Sequence, residues 1–274
     1  MKLPFSVLVL LLTAGAALAD TTTVMSRDSL FAKYMKRGAW QQPLFSQERL
    51  ALTDSALKYL PQDAYLWQQR GMPLAKQRKY ELAMRYTDSA VKYDQHRWLG
   101  YRAFMKCIFQ KDHEGALDDL RLVESMRPDA EEMDHPFEFW MGLCHLQLSQ
   151  YDSAAMMLQY CFDRDRKLGD DWLHHLHALY YGIALYEQRK FIEAIKVLDL
   201  SLTRYPDFAD AKYYKALSLL GLKRKHEAVA LLKQSKSDLA ASRTINEDNS
   251  IYEKYPYQIT EWMIEGQLKY IDLD

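Results

Sequence analysis

Glycine and proline are scarce, ten and eight in 274 residues, and no stretch is enriched in either, so nothing divides the chain into two bodies joined by a flexible linker. Charge of one sign is also missing: 36 Lys plus Arg stand against 37 Asp plus Glu. A nucleic-acid binder needs a surplus of cations on one face to displace counterions from phosphates, and the balance argues against that class. Signature motifs of catalysis are absent as well, with no G-x-S-x-G, phosphate loop, Rossmann glycine run, H-E-x-x-H or C-x-x-C. The acidic pairs Glu131/Glu132 and Asp170/Asp171 are tied by sequence to no nucleophile or cleft. The expectation is a protein that is not an enzyme and carries no cofactor.

Long apolar runs are missing except at the start. In MKLPFSVLVLLLTAGAALAD, Lys2 precedes an apolar stretch of about twelve residues from Phe5, and small residues close it at Ala17-Leu18-Ala19. The stretch falls short of the ~20 residues that span a bilayer, and no cysteine follows the cut to carry a lipid. The pattern predicts a signal peptide over 1–19, cleavage after Ala19, and a soluble exported protein, most simply periplasmic. The competing reading is an uncleaved amphiphilic anchor. Loss of Lys2 with the leader leaves 35 basic against 37 acidic residues, a mature charge of about −2.

What is present is a repeat. Gly71 precedes Ala83, Gly142 precedes Ala154, Gly182 precedes Ala194 and Ala216 precedes Ala228, in each case by 12 residues. An aromatic stands three before the alanine in the first three, at Tyr80, Tyr151 and Phe191. Apolar residues recur at helical spacing on both sides of a short polar break such as Lys76-Gln77-Arg78-Lys79. Small residues facing each other let two antiparallel helices approach closely, with the aromatic wedged into their joint. The stretches WQQRGMPLAKQRKYELAMRYTDSAVKY (67–93) and YYGIALYEQRKFIEAIKVLDLSLTRYP (180–206) therefore resemble the tetratricopeptide repeat.

The resemblance implies an all-α fold, a right-handed α-solenoid of about six tetratricopeptide-like helix pairs with a C-terminal capping helix. Units fall near 30–63, 64–96, 97–130, 135–168, 175–208 and 209–242, and Pro61, Pro128 and Pro206 close three of them. The first unit matches only in its second helix. The first helix of the third fits two registers one residue apart. Residues 243–274 comprise a polar loop and a terminal helix from near Tyr257, with Trp262, Met263, Leu268 and Tyr270 as its packing contacts. Pro73, inside the first helix of its unit, is expected to kink it or to mark its start.

Tetratricopeptide proteins hold peptide segments on the concave face formed by the first helices. Carried onto this chain, the family's inner-face positions are Tyr65, Gln68, Met72 and Lys76, then Trp98, Tyr101, Met105 and Phe109, Phe139, Leu143 and Gln147, Leu179, Ile183, Tyr186 and Glu187, and Tyr213, Leu217 and Leu220, with Arg102 and Lys106 placed to meet a partner's carboxylate. A groove rich in stiff aromatics suits a protein or peptide partner; the alternative is that the superhelix or its cap covers these residues internally. The family's carboxylate-clamp residues are not reproduced, so chaperone tails are not implied.

Two inserts break the spacing. AEEMD (130–134) is expected as a solvated acidic linker. KLGDDWLHHLH (167–177) could place Asp170, His174 and His177 on one helical face as ligands of a divalent metal, giving a metal-binding or hydrolytic module as the alternative function. Equally, Asp170 or Asp171 is the expected cap of the next helix. The cysteines Cys107, Cys144 and Cys161 lie in apolar helical patterns, where a thiol packs as a small hydrophobe. Repeat geometry sets Cys144 and Cys161 about 9 Å out of level, beyond the ~7 Å reach of a disulfide. Cys107 and Cys144 are the one pair that adjacent first helices could bring together.

Overall fold

The computed structural model describes residues 25–273, so the leader expected over 1–19 lies outside the described residues. The chain forms consecutive antiparallel helix pairs: α3 (Ala64–Lys76) with α4 (Tyr80–Tyr93), α5 (Gln95–Met105) with α6 (His113–Met126), α7 (Phe137–Gln147) with α8 (Tyr151–Leu168), α9 (His175–Glu187) with α10 (Phe191–Arg204), and α11 (Ala209–Gly221) with α12 (Lys225–Ala240). Before them, α1 (Arg27–Phe31) runs into a π turn and a 3-10 turn and packs on α2 (Gln47–Tyr59). After them, α13 (Glu261–Leu273) closes the stack against α12. Each pair packs on the next, which makes an α-solenoid. Among the described residues no helix is long and apolar enough to cross a membrane.

The small residues act as notches for a residue sixteen positions on. A Cβ added to Gly142 would lie 2.5 Å from Leu158 Cγ, and one on Gly182 would lie 2.6 Å from Leu198 Cγ. Ala216 with Leu232 repeats the relation, all of these leucines being fully buried. The alanines at the twelve-residue interval, Ala83, Ala154, Ala194 and Ala228, have no exposed surface and floor the same joint. In four joints the turn is set by one residue in the left-handed region, Arg78, Ser149, Arg189 and Lys223, with φ between 58° and 61°. A bond from the next residue's N–H back into the first helix locks it, as in Lys190 N–H to Leu185 O at 2.9 Å.

Several departures have physical causes. The one-residue ambiguity in the third unit is a real extra residue: α5 continues as a π turn over Lys106–Gln110, where the Lys111 N–H reaches back to Lys106 O. Pro73 interrupts nothing, since α3 runs unbroken to Lys76 with the proline in its last turn. The 130–134 insert is no solvated linker. Glu131–Glu132 pairs with His135–Pro136 as a two-stranded hairpin (β1, β2), turned by Met133 and Asp134 at φ 52° and 64°. Its Glu132 is buried against Arg97 at 3.2 Å, and Trp140 Nε1 donates to the Glu132 carbonyl. Neither Asp170 nor Asp171 caps α9; both lie in a 3-10 turn, and the cap is His174, whose Nδ1 accepts from the Leu176 N–H. The last helix begins at Glu261 and buries Ile264 and Ile271, whereas Trp262 and Tyr270 point outward at 74% and 64% exposure. Anchoring by the two isoleucines leaves the large aromatics on the free side.

The notch generates a direct test. Alanine is a better helix former than glycine by ~1 kcal/mol, yet at position 182 its methyl collides with Leu198. Gly182→Ala is expected to lower the unfolding free energy by about 1–3 kcal/mol in urea titrations, as overpacking of a closed joint does. An unchanged or raised stability would show that the joint has slack.

Candidate functional site: a concave face filled by the chain itself

The concave face is built by α3, α5, α7, α9 and α11, and residues 243–260, which have no helix, run along it and return. Asp210 on α11 closes the neck of this strap. Its carboxylate accepts from the Thr244 hydroxyl at 2.7 Å and from the Ile259 N–H at 3.0 Å, so one buried side chain holds both ends of the loop. Between those ends the strap reaches α3 and α4, where Lys76 Nζ sits 4.5 Å over the Tyr252 ring and the Tyr80 hydroxyl bonds Glu253. On the way back the groove binds backbone. Lys111 Nζ donates to Lys254 O at 2.6 Å, Tyr180 Oη to Pro256 O at 2.7 Å and Tyr214 Oη to Tyr257 O at 2.8 Å. Ile245, Tyr255 and Ile259 are buried beneath it.

This arrangement corrects the expectation of an open aromatic groove. Met105, Phe109 and Tyr101 line a pocket of about 200 Å³ closed by Asp248 and Asn249 of the strap, and all three are buried. Trp98 is buried between Tyr65 and Tyr101, with the Arg97 guanidinium 4.5 Å over its ring. Phe139 has no exposed surface, stacked on His135 at 4.1 Å and met edge-on by Tyr180. Tyr65 is half-buried. Arg102 is not free for a partner: it makes two bonds to Asp119, at 2.8 and 2.7 Å, and a third to Asp88 at 3.0 Å. Stiff apolar rings on a concave wall are covered by whatever part of the chain reaches them: the strap covers Tyr101, Met105 and Phe109, while rings of the neighbouring helices and hairpin cover Trp98 and Phe139.

The far end of the face stays open. Tyr186, Leu217 and Leu220 line a cavity of about 790 Å³ with Phe191, Gln267 and Tyr270, rimmed by Arg189, Lys223 and Lys225. Among the described residues these three cations make no salt bridge. Tyr213, expected in this groove, is instead buried.

A polar cluster lies where the hairpin meets the start of α9. His135 Nδ1 is 3.0 Å from His177 Nε2, His177 Nδ1 is 2.7 Å from Asp165 Oδ2, and the His174 ring stands 5.0 Å from both of its neighbours. Burial drives the His174 imidazole down to about 2, helped by the charges of His177 and His135, and burial lowers His177 against the pull of Asp165. Asp170 takes no part: its side chain is 89% exposed and faces Arg166 at 3.6 Å. Sequence reasoning brought His174 and His177 together but missed His135 and Asp165. A second cluster joins Cys107, Cys144 and His113, with all three thiols of the chain free. Cys107 and Cys144 thus do meet, while Cys161, buried and pushed above the usual thiol range, stands apart.

No protein-family model matches the chain, and no characterised protein is found similar to it in sequence. Solved structures are similar in fold. A tetratricopeptide repeat protein from Parabacteroides merdae superposes with a TM-score of 0.61 at 14% identity, over 90% of this chain and 98% of that one. PilF of Pseudomonas aeruginosa gives 0.59 at 18%, over 77% and 92%, and YrrB, described as a tetratricopeptide protein with an unusual peptide-binding site, gives 0.50 at 17%, over 70% and 97%. The chain has the tetratricopeptide-repeat fold.

Asp210 makes the strap sensitive to pH. Burial raises its carboxyl from 3.8 to about 6, against the lowering effect of the bonds from Ile259 and Thr244. A raised carboxyl binds its proton more tightly when folded, so its contribution is full below about pH 4 and is lost as pH rises through about 6; the interval corresponds to roughly 3 kcal/mol. The unfolding free energy of the wild type minus that of Asp210→Asn is expected to be larger at about pH 4 than at about pH 7.5 by up to that amount. A difference independent of pH would mean that the carboxyl is solvated.

Proposed function

We propose that the protein is an exported, non-catalytic scaffold that holds a segment of another protein at the open end of its concave face. The observation that carries this reading is the strap itself. This concave wall already binds an irregular, turn-rich segment, taking its carbonyls with Lys111, Tyr180 and Tyr214 and seating its apolar side chains between helices. Where the strap ends, the wall continues as the cavity around Leu217 and Leu220. Its apolar lining and rim of Arg189, Lys223 and Lys225 suit a segment with one or two large apolar side chains next to acidic residues or a free carboxylate. The similarity to YrrB in fold agrees with a peptide-binding role, and the leader pattern of residues 1–19 supports export.

A random peptide library displayed on phage tests the docking site directly, whatever the identity of the partner. Selected sequences are expected to combine an aromatic or large aliphatic residue with carboxylates, and to bind at least tenfold more weakly to Leu220→Glu/Lys223→Glu at equal helicity, since each side chain supplies ~1 kcal/mol or more at a small site. Failure to enrich, or binding that ignores the double substitution, counts against the site. For export, the mature protein recovered from cells is expected to begin at Asp20 by N-terminal mass analysis; an intact Met1 or Lys2 would leave the leader uncleaved.

A further inference from the structure

We propose that His135, His174 and His177 form a binding site for one divalent transition metal of the zinc class, held between the hairpin and α9 and locked by the strap. The three ligand atoms, one per ring, lie within 4.8 Å of one another. They come from two elements fixed by independent means. His135 follows the hairpin turn and packs flat on Phe139, while His174 and His177 stand at the cap and first turn of α9.

Proton bookkeeping identifies the ligand atoms. Asp165 accepts from His177 Nδ1, so that nitrogen carries the proton and Nε2 presents a lone pair. On the far side, His135 Nε2 is buried and makes no hydrogen bond; the group nearest to it is the Glu247 carboxylate of the strap, 3.5 Å away. A proton on His135 Nε2 satisfies Glu247 and turns the Nδ1 of His135 into a second lone pair, 3.0 Å from the first. Two lone pairs facing at that distance repel unless a cation lies between them. Nitrogens on a tetrahedral zinc with bonds of about 2.0–2.1 Å sit only slightly further apart, about 3.3 Å, so the rings need to open by a few tenths of an ångström.

Both rings then have a carboxylate behind them, Asp165 for His177 and Glu247 for His135. That is the second layer by which proteins fix the tautomer of a metal-binding histidine, and losing one such carboxylate weakens metal by roughly 10–100-fold. His174 supplies the third nitrogen through Nδ1, exchanging the long 3.3 Å bond from the Leu176 N–H for the metal while Nε2 keeps the ring proton. Three imidazoles, two of them buried, select zinc, copper, nickel or iron over magnesium or calcium, which take oxygen ligands. With His135 and His177 almost without solvent exposure, the metal is structural, and through Glu247 it ties the strap to the wall.

The test uses the whole chain after chelator treatment and dialysis, with zinc by calorimetry and cobalt by absorption. One equivalent is expected to bind, with visible bands of tetrahedral cobalt and no thiolate charge-transfer band. Asp165→Asn is expected to weaken it by roughly 10–100-fold, and His174→Gln by at least as much, at unchanged helicity. Cys107→Ser/Cys144→Ser is expected to leave it intact. Zinc is also expected to slow hydrogen exchange over residues 244–259, and Glu247→Gln to remove that slowing. A thiolate band, or loss of binding in the cysteine variant alone, moves the metal to the cysteine cluster and overturns the proposal. So does the absence of binding to the wild type, which leaves only a proton shared between the rings. Both results are independent of whether a peptide binds at the open end.

Discussion

How closely two helices of a pair can approach decides the shape of this molecule. Where Gly142 or Gly182 removes a side chain, a leucine from the second helix fills the space, and the fully buried alanines beside it keep the joint narrow. Repeating that contact fixes the tilt between the helices and stacks one pair on the next. Curvature follows from the stack, and the concave wall from the curvature. A bulkier residue at one notch would open one joint and displace everything beyond it.

Given the wall, its fate is a question of what covers it. Apolar rings in a concavity lose much free energy when wet, and a segment attached to the same chain meets them at far higher effective concentration than any partner. The strap exploits this with modest chemistry. It brings Ile245, Tyr255 and Ile259 for burial, while the wall supplies two tyrosine hydroxyls and one lysine ammonium for carbonyls that a segment without regular structure leaves unpaired. Asp210, holding both ends, turns a floppy excursion into a closed loop whose cost in chain entropy depends only slowly on its length. What the strap does not reach is the part of the wall that the proposed partner site uses.

The parts legible in the sequence are those enforced by contacts at short, fixed intervals. A twelve-residue spacing of small residues and a polar break mark a helix pair because sterics along one hairpin produce them, and the α-solenoid follows. Even the doubtful register of the third unit carried information, as the trace of the π turn at Lys106–Gln110. What was not legible depends on contacts between distant segments. Nothing near His135 announces that a two-residue hairpin will set it against His177, 42 positions on. The stretch after Ser242 reads as polar because its first half is; the tyrosines at 252, 255 and 257, too many for a solvated loop, were the available signal that it would be covered.

The contact between Tyr80 and Glu253 joins residues 173 positions apart. During synthesis the pair of α3 and α4 is complete long before Glu253 exists, so the aromatic wall stays wet until the strap has been made. A chain cut short before the strap would stack its helices yet offer a sticky trough along its length. Residues 243–260 thus serve the wall as a cover that can arrive only after the helices it shields.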